Sequence, residues 1–200
     1  MSPRPKNTDR TDATRARLLD AAVTTFAERG FHGSTIRDIA GGAGLSTAAL
    51  YVHYRTKEEV LYQISRDGHE ETLALVRAAI ASGGTPGERL ERLFRDFTRY
   101  HARAHTTARV INYELAGLEA SHRAQVHTVR RRIEAEVQDL VRQGVATGEF
   151  DVAEPALTTT ALLSLGIDIA RWYREGGNWS PDELADRYAK LALRLVGAAG

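Results

Sequence analysis

The 200-residue chain has no cysteine, which rules out disulfides and thiolate metal ligands and suits a reducing compartment. No run of 18 or more apolar residues is present, so a membrane-spanning helix is not expected. The opening MSPRPKNTDR lacks the apolar stretch of a signal peptide, and a cytoplasmic location is expected. Several enzyme signatures are missing too: no Gly-x-Ser-x-Gly elbow, no Gly-x-x-x-x-Gly-Lys phosphate loop and no dinucleotide-binding glycine fingerprint. Neither an enzyme nor a cofactor is therefore expected. Net charge is nearly absent at +1, but it is unevenly spread. Residues 1–17 carry five Lys or Arg against two Asp or Glu. Residues 1–11 are expected to be a disordered basic arm, serving either to follow phosphates or to solubilise.

What is present is helical spacing from end to end, with no competing period-two pattern and no internal repeat. Leu18, Ala22 and Phe26 share a stripe with Leu19 and Val23 beside it, predicting a helix over about 12–29 that Gly30 ends. Thr56-Lys57-Glu58-Glu59 opens a long helix to about residue 81, broken by Ser82-Gly83-Gly84. Thr85-Pro86-Gly87-Glu88 and Ser180-Pro181-Asp182-Glu183 each set a capping hydroxyl, a proline at the first helical position and a returning glutamate. Val126, Val129, Ile133, Val137, Leu140 and Val141 mark another long helix, and Pro155 starts one that runs through Trp172. The expected fold class is all-α. Residues 12–56 are expected to form a DNA-binding domain and residues 57–200 a ligand-binding and dimerisation domain.

The most informative stretch is residues 34–57. Ser34 and Thr35 can cap a short helix carrying Ile36, Ile39 and Ala40, Gly44 fits a turn needing positive φ, and Ser46 can cap a second helix over Thr47 to Tyr54. The exposed side of that second helix offers hydroxyls, an imidazole and small residues, which suits a major groove. Thr47 is placed to meet a base, Ala48 allows close approach, and Tyr51 and His53 are polar members near the helix end. Thr35 and Arg37 on the supporting helix and Ser46 at the turn are expected to contact DNA as well, and Lys57 suits phosphate. Tyr54 is expected to pack inward.

The run Thr35-Ile36-Arg37-Asp38-Ile39-Ala40, then Ala43-Gly44-Leu45-Ser46 and Leu50-Tyr51-Val52-His53-Tyr54 with Lys57, closely resembles the N-terminal domain of TetR/AcrR-family repressors. Upstream Leu19, Ala22, Phe26 and Gly30-Phe31 match the same family, so the likeness spans roughly residues 12–62. The resemblance implies a homodimeric repressor that binds a pseudo-palindromic double-stranded operator and is released by a small effector. It carries over Arg37, Thr47, Tyr51, His53 and Lys57 as DNA contacts. It also implies dimerisation through the last two long helices. Leu157, Leu165 and Ile169, with Leu184, Tyr188, Leu191 and Leu195, are the expected interface, although a helix apolar nearly all round also fits the core of a monomer.

The effector pocket is expected among the helices over 57–174, lined by Phe94, Phe97, His101, Ile111, Asn112, Glu114, Leu115, Leu162 and Trp172. A buried carboxylate needs a partner, so Glu114 pairs with an arginine or meets the ligand. From Arg109 onward the chain resembles actinobacterial regulators of lipid and sterol catabolism that respond to acyl-CoA thioesters. That likeness implies a largely apolar effector with basic groups, among them Arg103, Arg109, Arg130 and Arg131, near the pocket mouth. An amphipathic cation serving a repressor of an efflux gene is the rival effector, and a helical protein acting without DNA the rival function. His101 and His105 stand four apart, a spacing that fits one helix face, but with no third ligand nearby no metal site is expected.

Overall fold

The computed structural model describes residues 7–198, which form helices and connecting turns with no strand among them. In order these are α1 (Asn7–Arg29), α2 (Ile36–Gly42), α3 (Thr47–Tyr51), α4 (Lys57–Ala81), α5 (Pro86–Arg103), α6 (His105–Tyr113), α7 (Ala120–Ala146), α8 (Pro155–Trp172) and α9 (Pro181–Leu195). A single 3-10 turn, Leu115–Gly117, joins α6 to the approach of α7. The expected arm over 1–11 lies partly outside the described residues, and from Asn7 onward it belongs to α1.

Side-chain caps account for most of the helix starts. Thr35, Thr85 and Ser180 each take part in a reciprocal capping box, with Asp38, Glu88 and Glu183 returning to the cap backbone. Ser46 and Thr56 accept from the amides of Ala49 and Glu59. Gly44 adopts a φ of +64°, the left-handed conformation that turns the chain from α2 into α3. The expected helix over 47–54 ends earlier, at Tyr51, and the amides of His53 and Tyr54 both return to the carbonyl of Leu50. One helix boundary carries no Gly or Pro signal: α5 stops at Arg103, Ala104 takes φ −100° and ψ 29°, and α6 starts at His105. His101 and His105 therefore sit on different helices rather than on one face.

Two cores hold the molecule together. The first gathers Leu18, Phe26, Phe31, Ile39, Leu50 and Tyr54 of the N-terminal helices around Val60, Leu61 and Ile64 of α4. It also takes in Val110 and Ile111 of α6, Leu118 and Val126, so the N-terminal unit is packed against the remainder rather than tethered to it. The second core is larger and joins α4, α5, α7, α8 and α9 through Leu73, Val76, Leu90, Leu93, Phe94, Phe97, Val137, Leu140, Leu162 and Ala189. Across the surface of α5 and α9, Arg95 reaches Asp186 at 3.0 Å and Arg99 reaches Asp182 at 2.6 Å. Such exposed pairs contribute about 0–1 kcal/mol each and serve mainly to fix register.

Phe94 is fully enclosed in the second core. Phe94→Ala should cost about 3–5 kcal/mol by removing buried contacts and leaving a void. Urea unfolding of the two proteins checks this, and a loss below about 1 kcal/mol contradicts the packing described here.

Candidate functional site

The α2–α3 pair presents an exposed polar face. Thr47 and Ala48 at the start of α3 are exposed, as are Tyr51 and Arg37, and Arg37 makes no ion pair among the described residues. His53 is half-buried just beyond the end of α3, and Tyr54 is buried as expected. Thr35 and Ser46 are also exposed, but their hydroxyls are occupied by capping bonds, Thr35 with Asp38 and Ser46 with the Ala49 amide. Their first role is thus to hold the two helices in place.

Lys57 departs from expectation. Its Nζ donates to the carbonyls of Phe31 at 2.6 Å and Ser34 at 2.7 Å, and lies 4.4 Å above the Phe31 ring. The ammonium is half-buried in the turn after α1 and is not offered to phosphate. The sequence reading passed over Val52, which is 80% exposed at the C-terminal end of α3, the largest exposure among the big apolar side chains. A bare isopropyl group next to Tyr51 was the available signal, since an apolar side chain on a groove-facing surface suits a thymine methyl.

Behind this face lies a cavity of about 170 Å³ enclosed by α4, α5, α6, α7 and α8. Its wall includes His69, Thr72, Phe97, His101, Ile111, Asn112, Arg130, Ile133, Leu163 and Ile167, and its exposed rim carries Glu134, Thr160 and Ser164. Of the residues expected here, Phe97, His101, Ile111 and Asn112 are brought together. The other five lie elsewhere. Phe94 and Leu162 turn into the second core, and Leu115 packs against the first. Trp172 sits at the exposed end of α8, edge-on to Trp179 at 6.4 Å. Glu114 pairs with neither an arginine nor the cavity, because its carboxylate accepts the Phe31 amide at 3.0 Å.

His69 is a cavity residue that the sequence pattern did not single out. Its position on the buried Ser65–His69–Thr72–Val76 stripe of α4 was the signal. Both His69 and His101 donate Nδ1–H to the carbonyl four residues earlier, Ser65 at 2.7 Å and Phe97 at 2.8 Å, since a carbonyl can only accept. Burial pushes both imidazoles down to about 4, with Arg130, His101 and His127 adding to the effect at His69. Arg130 donates to Asn112 Oδ1 at 3.2 Å and makes no ion pair among the described residues. Burial holds its guanidinium below the usual arginine value, partly offset by the charge of Glu134.

One helix joins the cavity to the N-terminal unit. Ile111 and Asn112 face the cavity, while Arg109 on the same helix donates to Ala27 O at 2.8 Å and Glu114, just past its end, holds the Phe31 amide. Gly117 lies flat against the Phe31 ring, where a Cβ would collide. On the far side of the molecule Leu157 and Leu165 of α8 are 62% and 42% exposed, and Leu191 and Leu195 of α9 are 43% and 45% exposed. Ile169 and Leu184, expected on that face, are instead buried together with Tyr173 and Ala102, and Tyr188 packs half-buried against them. The helical phase is the reason: Ile169 lies on the side of α8 turned towards the rest of the chain.

Two family models describe this arrangement. Residues 18–64 match the bacterial regulatory proteins of the tetR family, and residues 83–196 match the tetracyclin repressor-like C-terminal domain. The chain belongs to the TetR family. Among TetR-family relatives, the HTH-type transcriptional repressor KstR2 of Rhodococcus jostii is 32% identical over 206 residues, covering 96% of each chain. A tetR-family regulatory protein from Rhodococcus RHA1 superposes with a TM-score of 0.88 at 35% identity, covering 94% of this chain and 98% of that one. AibR, solved in complex with isovaleryl coenzyme A and operator DNA, shares the fold with a TM-score of 0.82 at 21% identity, over 90% of this chain and 98% of its own. This TetR-family chain is a DNA-binding transcriptional regulator built on a helix-turn-helix, and among its described residues no helix is long and apolar enough to cross a membrane.

The two neutral histidines give this TetR-family protein an acid-sensitive core. Their folded values near 4 lie below the ordinary 6.5, so the unfolded chain takes up protons first as pH falls. Stability present above pH 6.5 should be lost progressively down to about pH 4, by at most on the order of 3 kcal/mol per ring. Urea unfolding at several pH values, with His101→Phe alongside, checks this: the variant should lose less on acidification. A flat wild-type profile over that range contradicts neutral buried rings.

Proposed function

We propose that the protein works in the cytoplasm as a homodimeric repressor, in which residues 12–56 grip an operator half-site and the remainder binds an effector that releases the DNA. The observation that carries this reading is the double engagement of α6. The helix lines the cavity through Ile111 and Asn112 and bonds the N-terminal unit through Arg109, with Glu114 just beyond. An effector that shifts α6 must also shift the turn at Phe31 and with it α2 and α3. The DNA-incompetent arrangement has to bind the effector more tightly, and the release cannot exceed that differential affinity.

Thr47, Ala48, Tyr51 and Val52 read bases, Arg37 and His53 meet phosphates, and Thr35, Ser46 and Lys57 hold the reading face in place. The exposed stripe of Leu157, Leu165, Leu191 and Leu195 joins two copies, because a pseudo-palindromic site needs two readers related by a dyad. The effector is small and largely apolar, or presents such a group at the end of a larger carrier. AibR lends support to the acyl-CoA form of that idea, since it binds isovaleryl coenzyme A and operator DNA on the same fold. A cavity of about 170 Å³ would take only the acyl end, leaving a nucleotide carrier outside.

Selection of bound genomic fragments by the purified protein tests the reading. A pseudo-palindromic fragment should bind with Kd of about 10⁻⁸ M or tighter, and its affinity should fall steeply as salt rises. Arg37→Ala should weaken all sequences alike and lower the salt slope by about 1, whereas Thr47→Ala should cost about 1–3 kcal/mol at the base pair it reads. If no fragment outcompetes random DNA, the repressor reading fails.

A further inference from the structure

The cavity wall has a polar pattern that defines its occupant more narrowly than apolarity and size. His69 comes from α4 and His101 from α5, and each has its Nδ1–H committed to a backbone carbonyl. Each Nε2 is therefore left as a lone-pair acceptor, and neither has a hydrogen-bond partner among the described residues. The His101 ring is held by stacking on Phe97, with centroids 4.1 Å apart and planes at 28°. On α7, Arg130 is steadied by Asn112, whose amide in turn donates to Ala108 O at 2.8 Å. The other guanidinium donors have no protein acceptor among the described residues. Thr72 has its hydroxyl proton committed to Gly68 O at 2.8 Å, and the rest of the wall is apolar: Phe97, Ile111, Ile133, Leu163 and Ile167.

Two imidazole acceptors and one guanidinium donor on an apolar wall make complementary demands. An occupant that fills the cavity must supply these bonds or leave buried groups unpaired. A plain acyl chain or a thioester carries only acceptors, so it satisfies Arg130 and strands both imidazoles. An amphipathic cation can donate to the imidazoles but brings a positive charge to a wall that already holds the guanidinium. The charge of Glu134 moderates this repulsion, but that carboxylate stands at the exposed rim and forms no ion pair with Arg130. Cavities of about 150 Å³ hold a benzene-sized molecule, so the space here takes about six to eight heavy atoms.

We propose that the cavity selects a compact hydroxylated acyl group, whose carbonyl or carboxylate oxygen accepts from Arg130 and whose hydroxyl donates to His69 or His101. This rests on the reading of the cavity as the effector site. The same chemistry is available from a free hydroxy acid or from its coenzyme A thioester, and the two differ in whether a carrier remains outside the rim.

Calorimetry on the DNA-free full chain tests this with pentanoate, 3-hydroxypentanoate, their coenzyme A thioesters, and pentylamine. In at least one carrier form the hydroxylated probe should bind at least about ten-fold tighter than its deoxy partner, the loss expected from one unpaired buried acceptor. The carrier form in which that preference appears identifies the source. His101→Phe and His69→Gln, each checked for folding by its melting transition, should shrink the preference, and Arg130→Gln should weaken both probes. Equal or tighter binding of the deoxy probe to the unmodified protein overturns the proposal, and that comparison needs no variant. So does tighter binding of pentylamine than of any acyl probe, failure of every probe to bind, or an undiminished hydroxyl preference in both histidine variants. Operator binding without probe, measured on the same preparation, separates the two readings. If it is intact while hydroxyl selectivity is absent, only the cavity proposal falls; if it is absent while selectivity is present, only the repressor reading does.

Discussion

The turn at Phe31 is the constraint on which the rest of this structure depends. After Gly30 the chain leaves α1 with backbone groups that no helix can satisfy, and the partners come from distant parts of the sequence. Lys57 takes the carbonyl, Glu114 takes the amide, and the ring is enclosed between the Lys57 ammonium and the bare backbone of Gly117. A buried donor left without a partner costs about 1–3 kcal/mol, so the Phe31 amide cannot give up Glu114 without consequence, whereas its carbonyl also accepts from the Ser34 hydroxyl at 2.7 Å. The orientation of α2 and α3 is thus set by residues up to 83 positions away in sequence.

The histidine and arginine of the cavity belong to the same economy of buried polar groups. Neutral imidazoles in an apolar wall persist because each has one nitrogen satisfied by its own helix, and the second is reserved for whatever enters. Asn112 is the meeting point: it lies on α6, orients Arg130 from α7, and stands three residues from Arg109, which holds the end of α1. The cavity and the end of α1 therefore share contacts with one short helix of nine residues.

Much of the fold was legible because its signals are local. The caps at Thr35, Ser46, Thr56, Thr85 and Ser180, the left-handed turn at Gly44 and the apolar stripe of α5 each work within four or five residues, the range over which periodicity speaks. The break at Ala104 was not legible, since it has neither glycine nor proline and is imposed by packing of α6 against α1, α4 and α8. The site was read less well for the same reason. Lys57 resembles a phosphate-binding lysine until the carbonyls of Phe31 and Ser34 are seen beside it. Glu114 looks like a cavity carboxylate, and Ile169 like an interface residue, until the long-range partner of each is known. Residues whose role depends on a neighbour distant in sequence are silent in the pattern.

The chain has only two tryptophans, Trp172 and Trp179, and they stand edge-on to each other at the same end of α8, with Arg187 5.9 Å from the Trp179 ring. All indole emission from this protein therefore originates at one corner, at the end of the element that carries the exposed leucines Leu157 and Leu165. Fluorescence from the unlabelled protein is in effect a local gauge of that corner. With no cysteine to compete, a single thiol introduced on α3 could carry a second probe, so that the tryptophan corner and the reading helix could be followed separately in one sample.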